Sequence, residues 1–116
     1  MGVVTIVPIV VALPTTSVVT SAAIVPLSIP DRFAEAELVE ASLSLQALTT
    51  GPFTVEIRRR NGVLLDTLTV NAAGVLTHDA LSFSFAQPGG GLRFDVAAAG
   101  TGALHAYVTC WLGLAL

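Results

Sequence analysis

Phe53-Thr-Val-Glu-Ile-Arg-Arg-Arg-Asn-Gly-Val-Leu-Leu-Asp-Thr-Leu-Thr-Val70 reads as two β-strands joined by a tight turn at Asn61-Gly62. Asn-Gly is a strong hairpin signal because both central residues of a type I′ turn need φ > 0, which Asn and Gly adopt at least cost. With that turn as the loop, Phe53 faces Val70, Val55 faces Leu68 and Ile57 faces Asp66, while Thr54, Glu56 and Arg58 occupy the opposite face. Asp66 then stands on the apolar side, where Arg59 is its expected diagonal partner. The segment sets the architecture as antiparallel β.

Turn signals continue on both sides of the hairpin. Thr49-Thr-Gly-Pro52, Asn71-Ala-Ala-Gly74, Gln87-Pro-Gly-Gly-Gly91 and Gly100-Thr-Gly102 separate short apolar runs. Val75–Thr77 is a short candidate strand, Leu81, Phe83 and Phe85 alternate with serines, and Leu92, Phe94, Val96 and Ala98 form one face of another strand. The last strand covers Ala103–Leu112. In it His105, Tyr107, Thr109 and Trp111 lie opposite Leu104, Ala106, Val108, Cys110 and Leu112. Turns at this spacing predict an all-β antiparallel sandwich, with a jelly roll as one form of it.

Upstream, residues 36–48 fit two periods. Ala34, Leu38, Ala41, Leu45 and Leu48 make a helical stripe, whereas Val39, Ala41, Leu43, Leu45 and Ala47 alternate with Glu40, Ser42, Ser44 and Gln46. Helix propensity leans one way and the all-strand context the other; strand is the expectation. Residues 1–30 are nearly uncharged and carry Pro8, Pro14, Pro26 and Pro30, which do not suit central strands. They read as an apolar N-terminal arm or edge strands (near Val3–Val11 and Ser17–Ile29) ahead of a sandwich domain over 31–116.

Composition narrows the function. The chain has 116 residues, 53% of them hydrophobic and only 11% charged, with mean hydropathy +0.82. All five basic side chains are arginine. An average domain is about 25% charged, so much of this surface is expected to be covered by other subunits. A membrane span is not expected, because Val3–Leu13 is interrupted by Thr5 and Pro8 and stopped by Pro14. Strands of about ten residues would be too few here to close a membrane barrel. No basic residue precedes the apolar stretch, so a cleaved secretory leader is not expected either. The net charge of −3 argues against nucleic acid, and a single cysteine implies no internal disulfide.

No catalytic or metal constellation emerges. His78 and Asp79 are adjacent and would point to opposite faces of a strand, and two separated histidines with one cysteine do not make a metal site. Gly89–Gly91 lacks the Lys and Ser/Thr of a phosphate loop. Glu35, Glu37 and Glu40 read as a solvated or subunit-facing row rather than a catalytic pair. The expectation is of a protein that is not an enzyme, with no cofactor, no metal and no catalytic residue. Candidate interface residues are Arg58, Arg59 and Arg60 at the hairpin tip, His105, Tyr107 and Trp111 on the last strand, and Val3, Ile6 and Ile9 on the first. Two alternatives to a subunit contact stay open for the last-strand row: a second packing layer of the same subunit, or a sugar-stacking platform.

The hairpin Phe53–Gly62, the strand Leu92-Arg-Phe-Asp-Val96 and the turn Gly100-Thr-Gly-Ala103 together resemble a small β-sandwich module of tailed-bacteriophage virion proteins, over about residues 34–113. Such modules read T-V-D-I-R-x-N-G, G-D-x-L-x-V-D-V and G-T-G-A; this chain has one extra Arg before Asn61, and Gly91-Leu92 where Gly-Asp is common. The resemblance implies a capsid decoration (cement) or head-fibre protein on the virion exterior. Its partners would be the major capsid protein and further copies of itself, a trimer being favoured, with no nucleic acid and no membrane. The alternatives are a tail or head-fibre module that binds a host-surface glycan or receptor, and a connector or minor tail component.

Overall fold

The computed structural model describes residues 4–26, 36–81, 83–84 and 91–115. Every regular element among them is a strand: β1 (Val4–Leu13), β2 (Val19–Pro26), β3 (Ala36–Ala47), β4 (Thr50–Arg59), β5 (Leu64–Val70), β6 (Gly74–His78), β7 (Phe83–Ser84), β8 (Gly91–Thr101) and β9 (Leu104–Ala115). One sheet, here sheet A, runs β1-β9-β3-β6, with β7 also pairing to β3. The other, sheet B, runs β2-β8-β4-β5. All ladders are antiparallel. The expected antiparallel sandwich is therefore what forms, thin and long at 48 × 23 × 18 Å.

The strand order has a simple logic. β4 pairs with β5, β3 with β6, β2 with β8 and β1 with β9, so the chain is one long hairpin ribbon. Successive stretches of that ribbon fall in alternate sheets, and the β3–β9 and β4–β8 ladders close the roll. The first two strands are edge strands, one in each sheet. Pro8 sits inside β1 without disturbing its register to β9, which an edge position permits because the missing N–H can face away from the ladder.

Residues 36–47 form the strand β3 despite their helical propensity. Propensity differences are worth at most about 0.7 kcal/mol per ordinary residue, whereas burying a Leu contributes about 1.5–3 kcal/mol. As a strand the segment buries Leu38, Ala41, Leu43 and Leu45 in the core. A helix would turn Leu43 away from the others.

In the hairpin, Phe53 pairs with Val70, Val55 with Leu68 and Ile57 with Asp66, as the alternation requires. The turn differs from the type I′ expectation. Its loop is Arg60-Asn61-Gly62: Gly62 N–H donates to Arg59 O at 2.8 Å, and Arg59 N–H to Val63 O at 2.8 Å. Only Gly62 has positive φ, at 101°. A type I turn followed by a left-handed glycine is the usual three-residue hairpin loop, and the extra Arg before Asn61 lengthens the loop to suit it. Asn61 contributes through its side chain, its Oδ1 accepting from Val63 N–H at 3.1 Å.

The core lies between the sheets. Phe53, Val55, Ile57 and Leu68 from the hairpin meet Leu92, Phe94 and Val96 of β8 and Leu43, Val108 and Cys110 of sheet A. At the start of β9 the predicted alternation slips. Leu104 is exposed and Ala103 is buried in its place. The cause is the left-handed backbone of His105 (φ 52°), which breaks the two-residue period just before Ala106.

Candidate interaction surface

The outer face of sheet B is held by ions. Arg58 stands directly across from Arg93, and Glu56 across from Asp95, so like charges oppose and unlike charges meet on the diagonals. Arg93 grips Asp95 with two bonds (Nε to Oδ1 at 3.2 Å, Nη2 to Oδ2 at 2.9 Å). Arg58 donates through Nη2 to Glu56 at 3.1 Å and through Nη1 to Gly62 O at 2.8 Å. Its buried Nε lies 3.4 Å from Asp95 Oδ2, an ion-pair distance without hydrogen-bond geometry. Ser21 N–H also donates to Asp95 Oδ1, where β2 bulges and Ser21 takes positive φ. Burial raises the Asp95 carboxyl's pKa. The Arg93 and Ser21 hydrogen bonds and the charges of Arg93 and Arg58 outweigh it, so the carboxyl lies below its ordinary value.

The three arginines at the tip do not form one patch. Arg58 belongs to this network, Arg59 takes the register position opposite buried Leu92, and Arg60 is exposed at the turn, its N–H bonded to Gly91 O at 3.0 Å. Asp66 faces inward as predicted, and the structure pairs it with His78 of β6, where sequence reading named Arg59. His78 Nδ1 lies 3.0 Å from Asp66 Oδ2. That contact ties the edge of sheet B to the edge of sheet A.

The outer face of sheet A is different in kind. On β9, Tyr107 is exposed and Thr109 and Trp111 are half-buried, while Ala106, Val108, Cys110 and Leu112 point into the core. The register sets Ala12, Val10 and Pro8 of β1 beside Tyr107, Thr109 and Trp111, with Ser44, Ser42 and Glu40 of β3 on the other flank. Val75 of β6 extends the surface beyond Ser44. Ile6, Val10, Val75 and Tyr107 are 51%, 63%, 68% and 42% exposed. Among the proposed first-strand residues, Ile6 lies on this face, Ile9 packs inward against the core, and Val3 lies outside the described residues. His105 is exposed at the end of the row. Of the glutamates, Glu40 flanks Trp111, Glu37 is half-buried on β3, and Glu35 lies outside the described residues.

Val10 and Val75 escaped sequence reasoning. Both parities of β1 are apolar, so the pattern alone does not say which parity faces out. Asp95 was equally hidden, because its partners come from β2, β4 and its own strand.

The chain shares its fold with a capsid chain. It aligns with a chain of the structure titled "Cyanophage Pam1 capsid asymmetric unit" over 99% of its own length and 86% of that chain's, with a TM-score of 0.59 and 15% sequence identity. At this identity the likeness is one of fold. No family model matches the chain, and no curated protein does.

Cys110 is fully buried, and burial, with a smaller contribution from the charge of Asp66, pushes its thiol up to about 12. It therefore stays protonated near neutrality and is a core residue in its chemistry. Among the described residues no group of three or more His, Cys, Asp and Glu side chains is placed to hold a metal ion.

Proposed function

We propose that this chain is a non-enzymatic structural subunit of a tailed-phage head, a decoration (cement) protein that binds the major capsid protein shell from outside and stabilises it. The observation that carries the reading is the alignment of nearly the whole chain with most of a single chain from a capsid asymmetric unit. Since 99% of this chain covers 86% of that one, the two are similar in size. The correspondence thus runs over a domain of about the same size as that chain, which supports reading it as a small capsid subunit. The rolled-ribbon strand order supports reading the sandwich as a jelly roll, an architecture that recurs in capsid subunits. The apolar, lysine-free composition suits a subunit that works in contact with neighbours.

Mechanically, such a subunit bridges adjacent capsomers through many copies of one non-covalent contact. Each copy adds a modest free energy, and repetition over the shell raises the resistance of the whole head to internal pressure. The direct test is to add the purified chain to phage heads lacking it and count copies by electron cryomicroscopy. Binding at sites repeated across the shell, with a higher temperature of DNA release, is the expected result. A few copies confined to one vertex or to the tail would instead assign it to a fibre or connector, and no binding to heads would overturn the proposal.

A further inference from the structure

The first strand carries apolar residues on both of its faces. Ile9, Val11 and Leu13 supply the inner one, while Ile6 and Val10 stand on the outer one, half or more exposed. A strand that is apolar on both parities is the pattern of one covered on both faces. Among the described residues nothing forms a layer over that outer face.

We infer that copies of this chain associate through the outer face of sheet A, with Val10, Thr109, Trp111 and Tyr107 at the centre of the contact. The inference rests on the structural-subunit reading proposed above, adds self-association to it and names the surface. The first argument is charge. Sheet B carries its ion pairs across its two central strands, so that face keeps a polar network suited to solvent. Across β1, β9, β3 and β6, the outer side of sheet A bears two acids, Glu37 and Glu40, both toward the same end of the face, and no arginine among the residues the register places there. Because both acids share one end, two copies packed with that end of each over the opposite end of the other keep the acids apart and meet through the uncharged residues between.

The second argument is area. The ten-residue β1 and the four strands of the sheet's path define a face of roughly 33 Å by 19 Å, about 600 Å² before side-chain relief is included. A stable interface of standard size takes about 800 Å² of accessible surface per partner. The face reaches the lower end of the standard range, about 600 Å² per partner, and it has an aromatic centre of the type that concentrates binding energy. Sheets pack face to face at about 10 Å in sandwiches.

The protein has one tryptophan, Trp111, and it sits in the proposed contact. Dilution of the purified wild-type chain, followed in parallel by light scattering and by tryptophan fluorescence, therefore reads the interface directly. The expected result is a dimer at micromolar concentration, with Trp111 emission shifting to longer wavelength over the same range in which the mass falls. Val10→Arg should weaken association about a hundredfold or more, since it leaves an unpaired charge in a dry contact, while Thr69→Arg on sheet B should leave it unchanged. Circular dichroism of both variants confirms that they fold. An oligomer whose dissociation leaves the emission unchanged, or which Val10→Arg does not weaken, overturns the surface assignment and spares the capsid reading. A wild-type monomer at these concentrations overturns the surface and the homo-oligomer together, with binding to heads still deciding the rest.

Discussion

A Cβ added at Gly100 would stand 2.5 Å from the carbonyl oxygen of Thr50, in a backbone at φ +59°. Backbone cannot swing aside as a side-chain tip can, so strain and overlap act together. Gly100→Ala should lower stability by about 2 kcal/mol or more. Ala80 presents the reverse case: it holds a similar φ of 54° as an exposed L-residue. Ala80→Gly relieves about 1–2 kcal/mol of strain against about 0.4–1 kcal/mol of added unfolded-state entropy, so a gain of about 0–1.6 kcal/mol is expected. Urea titration of the two variants checks both signs. The glycine was readable as a turn residue from Gly100-Thr-Gly102, but the left-handed states of Ala80 and His105 were not. Neither residue type advertises that conformation, and the surrounding pairing imposes it.

Among the elements, the hairpin was the most legible because its information is local. A turn signal flanked by alternating apolar residues determines which side chains meet, and the observed pairs of Phe53, Val55 and Ile57 follow from it. The Asp95 network was illegible for the opposite reason, since it gathers side chains or N–H groups from β2, β4 and β8. It yields a prediction in pH. A carboxyl whose folded value lies below its unfolded one contributes stability that is fully present above the unfolded value. That contribution is lost as pH falls through the folded value. The wild type should therefore lose part of its unfolding free energy as pH drops below about 4. Asp95→Asn should be destabilised by about 2 kcal/mol at pH 7 and show a shallower decline in that acid window. Denaturant midpoints at pH 7 and pH 3 provide the comparison. Equal acid slopes in the two proteins would show that the ion pairs are not formed in solution.

For the whole molecule, the decisive pairing joins the two ends of the described chain, β1 along β9. Without β1, β9 becomes the edge of sheet A, and the core loses Val11 and Leu13 and the packing of Ile9. A chain lacking residues 1–13 should therefore fail to give a cooperative thermal transition and should aggregate through the exposed edge of β9. A sharp melt from that truncation would show instead that the segment is a detachable arm.

The amino-acid sequence by itself determined the class of structure and its local grammar: antiparallel strands, the position of the hairpin, the inward parity of β4, β8 and most of β9, and a composition poor in charge. These are short-range properties, set by a period of two and by turn chemistry. Only the tertiary structure decided the rolled strand order, the partner of Asp66 and the outward parity of β1. Each of these depends on which distant residues become neighbours. When both faces of a strand are apolar, the residues cannot say which one faces out; the ladder with β9 says it.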